Sequence, residues 1–262
     1  MSDCIIETAD GVTLIRFYRP ERLNAMGGTM LDEMNAAIAA GRLDDRVRAF
    51  VVTGQGRAWC AGADLAPDNG RVTEGGPRFQ ANDDLGFAGR TVLNVYACDK
   101  PVIAAINGVT VGGGFGLAAS MDIRIASEHA RFSTVFIKRA LAPDFGLSWF
   151  LPRMVGAERA AEMFYTGRMV GAEEALSLGI VSKVVPQERL LDEALGLARQ
   201  LAKQPPTALT MTRRALQHAQ TNPLDRHLAF EWANQKACIA SPEFQEGVAS
   251  FLEKREADFS TF

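Results

Sequence analysis

Cysteine and histidine are too few and too scattered in this chain to build a metal centre or a disulfide framework. Cys4, Cys60, Cys98 and Cys238 form no C-x-x-C pair, and His129, His218 and His227 stand at no ligand spacing from them. No metal site is expected, and the cysteines read as free core thiols. Cys60 lies in a glycine-rich turn, but a nucleophilic thiol needs a base, and sequence logic pairs no histidine with it. An excess of one charge is missing too: 28 basic against 31 acidic residues leave a net charge of -3. That balance gives no electrostatic reason to bind nucleic acid. No run approaches the roughly 20 apolar residues of a membrane span, and the first residues, "MSDCIIETADG", lack a basic segment followed by a long apolar one. A cytoplasmic protein with no membrane partner is the expectation. G-x-S-x-G is absent, which argues against a serine hydrolase, and no Gly-Lys-Ser/Thr follows the glycine clusters to make a nucleotide loop.

What is present suits an α/β protein. The 262 residues, 47% of them hydrophobic, can bury a substantial core in one large domain or a domain with a small appendage. Strand-like runs rich in β-branched residues occupy 11–17, 47–54, 101–108 and 121–128, each bounded by Gly, Asn, Asp or Pro. Between them, Met30, Leu31, Met34, Ala37 and Ile38 follow helical spacing over 30–41. A second helix is expected over 188–204, stopped by the two prolines at 205–206. From about residue 201 onward the chain reads as helices only, too small for an independent core, so this segment is expected to pack on its own body or on a neighbouring subunit. No convincing exact internal repeat is visible. The Gly/Pro/Asp-rich stretch 66–89 is expected to be a loop, a lid over a site.

Two glycine-rich turns follow strand-like runs: "GQGRAWCAGADL" (54–65) and "NGVTVGGGFGLAASMD" (107–122). Glycine lets a ligand approach the backbone, and a turn feeding a helix leaves N–H groups without intrahelical partners. Two such turns can aim two donors at one oxygen, where the positive end of the second helix also favours developing negative charge. A third stretch, "LAPDFGLSWFL" (141–151), sets one carboxylate, Asp144, in an apolar run. Residue by residue it reads equally as a Pro-Asp-x-Gly turn or as a catalytic acid/base.

"RPERLNAM" (19–26), "WCAGADL" (59–65), "KPVIAAINGVTVGGGFGLAASMDIRIAS" (100–127), "LPRMVG" (151–156), "GAEEALSLGIVSKVVP" (171–186) and "FLEKREADF" (251–259) resemble, in order, the signature blocks of the enoyl-CoA hydratase/isomerase (crotonase) superfamily. The resemblance implies a crotonase spiral of β-β-α units over 1–200, carrying an acyl-CoA site. It also implies a helical C-terminal region over 201–262 for trimerisation, in homotrimers or dimers of trimers. Acyl-CoA thioesters are the implied substrates; coenzyme A arrives as part of them and no separate cofactor is expected. The N–H groups of Ala63 and Gly113 are implied as an oxyanion hole, and such preorganised donors stabilise an enolate.

The acid/base decides the reaction, and here the chain departs from the hydratases. Their two glutamates fall on Gly116 and Phe136, so conventional hydration, which needs one group to activate water and another to deliver a proton, is not expected. The surviving carboxylate is Asp144, which matches the aspartate of dienoyl-CoA and phenylacetyl-CoA-type ring isomerases of the superfamily. An apolar wall of Phe136, Leu141, Phe145 and Trp149 is expected to raise its pKa and make it a better base. A dehalogenase-like nucleophilic role would need a histidine after the first glycine turn, and none lies between Ala63 and Glu128. The remaining substrate-binding expectations are Arg22, Ala61, Asp64, Leu65, Gly112, Gly116, Phe136 and Leu141. Within that set Asp64 is read as ordering its turn through backbone hydrogen bonds. Phe251 and Lys254, placed on one face of the last helix, resemble a pair that reaches a neighbouring subunit's site. An atypical hydratase and a non-catalytic acyl-CoA binder remain open alternatives to the isomerase.

Overall fold

The computed structural model describes residues 2–66 and 83–262. It opens with a hairpin, β1 (Cys4–Ala9) against β2 (Val12–Phe17), around Asp10 and Gly11, whose φ angles of 51° and 75° suit the tight Asp-Gly turn. After helix α1 (Met30–Arg42), consecutive strands divide between two sheets. β3 (Ala49–Gly54) continues into β4 (Ala58–Cys60) and, beyond it, α2 (Gly86–Tyr96). β5 (Val102–Ile106) continues into β6 (Val109–Val111) and α3 (Gly113–Ala119), and β7 (Ile123–Ser127) into β8 (Arg131–Ser133) and α4 (Leu147–Val155). The β-β-α unit therefore recurs three times without a sequence repeat. After α5 (Ala157–Thr166), the sheets are completed by β9 (Val170–Gly171) and, past α6 (Ala172–Ser177), by β10 (Lys183–Val185). The large sheet runs β1-β2-β3-β5-β7-β10, parallel except for the opening hairpin, and the small one β4-β6-β8-β9.

Buried amide side chains set the corners between the sheets. Asn107, between β5 and β6, accepts from the Gly54 N–H (3.1 Å) and donates to the carbonyls of Gly56 (2.8 Å) and Ala58 (3.1 Å). Asn24, fully buried, donates to the same Ala58 carbonyl at 2.7 Å. These bonds satisfy carbonyls that the strand change would leave bare.

Strand alternation then decides which core each residue joins. Phe50 and Val52 of β3 enter the main core with Ile15, Phe17 and Trp59, while Ala49 and Val51 face the opposite way. That second face is covered by α7 (Leu190–Ala202), whose Leu190, Ala194 and Ala198 recur every four residues. The strands expected at 11–17, 47–54, 101–108 and 121–128 contain β2, β3, β5 and β7, and both expected helices form as α1 and α7. The expected loop 66–89 needs correction at its end, because residues 86–89 are already helical in α2. Positions 67–82, on which the lid reading rests, lie outside the described residues.

The C-terminal part comprises α8 (Pro206–Ala219), α9 (Leu224–Ile239) and α10 (Pro242–Glu253). α8 is fastened to the body through Thr210, Arg214 and Gln217 and, at its one buried residue, through Arg213. Arg213 pairs with Asp122 at 2.9 Å and donates to the carbonyls of Val95, Tyr96 and Cys98 at the end of α2. α10 is tied back through Glu243, which accepts from the Thr207 N–H (3.1 Å) and hydroxyl (2.7 Å). α9 buries none of its residues, and Leu224 (70%), Leu228 (52%) and Trp232 (60%) stand exposed. Among the described residues no helix is long and apolar enough to cross a membrane. Arg213→Ala takes the buried guanidinium away from Asp122, which keeps the Val102 N–H, and from three carbonyls, of which those of Val95 and Tyr96 keep another donor, and is expected to cost about 3 kcal/mol, read as a thermal midpoint lower by on the order of 10 °C. Arg214→Ala, which removes only the exposed pair with Asp99, is expected to change stability by under about 1 kcal/mol in the same melts.

Candidate active site

The parallel run of β4, β6 and β8 delivers the two glycine turns side by side. A Cβ at Gly62 would sit 2.9 Å from the Val111 carbonyl and 3.6 Å from the Gly113 nitrogen. The first turn is pinned by the Met26 N–H donating to Gly62 (2.7 Å) and the Asp64 N–H donating to Met26 (3.1 Å). In the second, the Gly112 N–H donates to Ser133 (3.0 Å) and the Gly116 N–H to Gly112 (3.1 Å). The N–H groups of Ala63 and Gly113 enter none of these bonds. Ala63 is exposed, and Gly113 opens α3, where a first N–H has no partner within the helix.

Onto this pair of turns the segment 141–147 lays Asp144. Its Oδ1 stands 3.3 Å from the position a Cβ on Gly113 would take. The backbone there is strained: Phe145 has φ 48°, followed by Gly146 at 68°, and a phenylalanine in the left-handed region costs about 1–2 kcal/mol. Val135 (φ 23°) and Ala140 (φ 54°) bracket the preceding 3₁₀ turn Phe136–Arg139, so three such non-glycine residues fall within one short stretch. The turn is closed by the Leu147 N–H donating to the Asp144 carbonyl at 3.0 Å.

Gly116 explains what became of the first glutamate position. A Cβ there would lie 2.6 Å from the Phe145 Cβ and 2.8 Å from its carbonyl oxygen. Any side chain at 116, a glutamate included, would therefore displace the Asp144–Phe145 turn. The second position, Phe136, is buried, and its ring edge is 3.9 Å from the Cβ position of Gly112. Neither place holds a carboxylate.

Burial lifts the Asp144 carboxyl to about 6, against a smaller opposing pull from its own backbone N–H. The residue as a whole is exposed, so the carboxylate has one side toward solvent and one toward Gly113 and the apolar Phe145. Part of the expected wall is placed differently. Phe136 and Phe145 are buried and Leu141 is 48% exposed, but Trp149 packs on Tyr96 and Phe150, with Arg153 3.9 Å over its ring. The ring that meets Phe145 is Phe87 of α2, edge-on at 5.8 Å. Phe87 was hidden in the stretch read as loop. Cys60, under Gly114, is fully buried and its thiol is pushed up to about 12, which leaves it no thiolate character near neutral pH.

The other expected residues divide into two groups. Asp64 is buried, pairs with Arg19 at 2.9 Å and accepts from the Ala66 N–H at 3.2 Å. Arg22 stands 3.9 Å from the same carboxylate, the Ala61 N–H donates to Leu23, and Leu65 is exposed beside them. Arg19, unread in the sequence although it lies within "RPERLNAM", completes this support of the first turn. Phe251 and Lys254 form the second group. Phe251 is 81% exposed, and Lys254 lies just past the end of α10 with φ 56°, so the pair does not share a helical face as expected. His218 and His227 bond each other at 3.2 Å between α8 and α9, and His129 is exposed. Among the described residues no group of three His, Cys, Asp or Glu side chains is arranged to hold a metal ion.

A family model described as enoyl-CoA hydratase/isomerase matches residues 7–261. The 1,2-epoxyphenylacetyl-CoA isomerase of Escherichia coli is 38% identical over 255 residues, covering 95% of each chain. The short-chain-enoyl-CoA hydratase of Clostridium acetobutylicum is 32% identical, over 98% of this chain and 97% of that one. The crystal structure of an enoyl-CoA hydratase from Bacillus anthracis superposes with a TM-score of 0.92 at 30% identity, covering 100% of both chains.

A carboxyl whose pKa is higher folded than unfolded holds its proton more tightly in the native state, so stability falls as pH rises from about 4 through about 6. Asp144→Asn removes that loss. The variant is expected to melt above the parent at pH 7, with the difference closing toward pH 4, as thermal melts across that range will report.

Proposed function

The chain belongs to the enoyl-CoA hydratase/isomerase family and is an acyl-CoA enzyme, and we propose that it is an enoyl-CoA isomerase with Asp144 as its single proton carrier. The thioester carbonyl lies between the Ala63 and Gly113 N–H groups. Asp144 takes a proton from the carbon next to the thioester, and the electrons move onto the carbonyl oxygen as an enolate. Those two donors stabilise it where the charge develops. Protonated Asp144 then returns the proton two carbons further along, and the double bond comes into conjugation with the thioester. A carboxyl near 6 suits both halves, since it is ionised at neutral pH yet basic enough to accept a proton and acidic enough to give it back.

One observation carries this reading: the only carboxylate among the three acid/base positions of the site is that of Asp144, beside Gly113, while Gly116 and Phe136 supply none. The coenzyme A portion is assigned to the Arg22 side of the first turn, with the acyl chain along Leu65, Gly112, Phe136 and Leu141. Residues 201–262 are assigned to oligomerisation, with Phe251 and Lys254 completing a neighbouring subunit's site. The exposed Leu224, Leu228 and Trp232 on a helix that buries nothing support that assignment.

Incubation with a 3-enoyl-CoA is expected to yield the conjugated 2-enoyl thioester, with kcat/KM rising to a plateau above about pH 6. Asp144→Asn is expected to lose about 10²–10⁴-fold in kcat. An unimpaired Asn variant would sink the assignment. Water addition to crotonyl-CoA in place of isomerisation would favour an atypical hydratase, and failure both to convert substrate and to exchange any of its protons in D₂O would favour a non-catalytic binder.

A further inference from the structure

We propose that Phe145 is a positioning residue for Asp144, seated on Gly113 and Gly116; the proposal rests on the isomerase reading above. The Phe145 side chain is 97% removed from solvent, being 3% exposed, although it stands in a loop. Its ring lies 2.8 Å from where a Cβ of Gly113 would be, and its own Cβ 2.6 Å from that of Gly116. The two glycines thus form a recess in the first turn and a half of α3 that one aromatic side chain fills. Phe87 closes the recess from α2 by an edge-on contact at 5.8 Å and 72°.

The ring matters because of the backbone beneath it. With φ of 48° at Phe145 and 68° at Gly146, the turn that aims the aspartate lies in a region that an L-residue leaves unless it is held there. Seating the ring holds it. Released, Phe145 returns to an ordinary φ and the adjacent carboxylate swings away from Gly113. The ring, at 2.8 Å, and the carboxylate, at 3.3 Å, approach the same Cβ position of Gly113, so the seated ring also keeps water from that side.

Two substitutions attack that contact from opposite sides. Phe145→Gly removes the ring and leaves a residue free to take either sign of φ, so nothing holds the turn; Gly116→Ala keeps the ring and lifts the Phe145 Cβ and the backbone around it with a methyl group. Both are expected to lower kcat on a 3-enoyl-CoA by about 10²-fold with KM changed less than about threefold. In both, the acid limb of the pH profile is expected to fall by about one pH unit as water reaches the carboxylate. Phe145→Leu, which refills the recess, is expected to recover most of kcat and the limb. Wild-type kcat and an unmoved limb in Gly116→Ala, alongside an inactive Asp144→Asn, would overturn the positioning role while leaving Asp144 as the base. Loss of kcat with an unmoved limb and no recovery by leucine would also overturn it, as a general structural effect. An active Asp144→Asn variant would instead remove the isomerase reading itself.

Discussion

A methyl group at either Gly113 or Gly116 would fall within 2.8 Å of Phe145, and around that intolerance the site is assembled. Because the glycines are bare, the loop before α4 can descend onto the first turn of α3, and the Asp144 Oδ1 comes within 3.3 Å of the Cβ position of Gly113. A larger residue at 116 would raise the loop and take the carboxylate with it. A side chain at 116 and the Asp144–Phe145 turn in its present place exclude one another, because they compete for one volume.

The fold exists to bring that volume together. Each β-β-α unit sends one strand to the large sheet and the next to the small sheet, so β4, β6 and β8 run parallel side by side, with a register shift between Ala58 and Cys60, and the turns that follow them lie together. Asn24 and Asn107 hold the corners, and the Asp64–Arg19 pair holds the first turn. These buried polar contacts are satisfied by carbonyls and partners on different units, and so they couple the units as hydrophobic burial alone, being non-directional, would not. The core supplies stability, and the polar corners fix how the two glycine turns face one another.

Much of this was legible in the sequence, for physical reasons that also mark where reading stops. Runs rich in β-branched residues and bounded by Gly, Asn, Asp or Pro show β2, β3, β5 and β7, but β4, β6, β8 and β9 have two or three residues each, too few for such a run to register. The start of α2 is masked by Gly86 and Gly89, whose poor helix propensity reads as loop, and Phe87 went with it. Asp144 stood out because a charge in an apolar run is costly. Its seat did not, since the contact joins glycines of α3 to a phenylalanine beyond two further strand and turn elements. Arg213 looked like any polar residue on an amphipathic helix; only the folded chain brings it to three carbonyls and Asp122.

The central claim is that one carboxylate carries the same proton from one carbon to another. A 3-enoyl-CoA deuterated at the carbon next to the thioester, turned over once in H₂O, tests it directly. Deuterium found at the far carbon of the 2-enoyl product, diluted by solvent exchange but present, is the predicted result. Product formed with solvent hydrogen alone at that carbon, even at the shortest reaction times, would contradict the single-base shuttle.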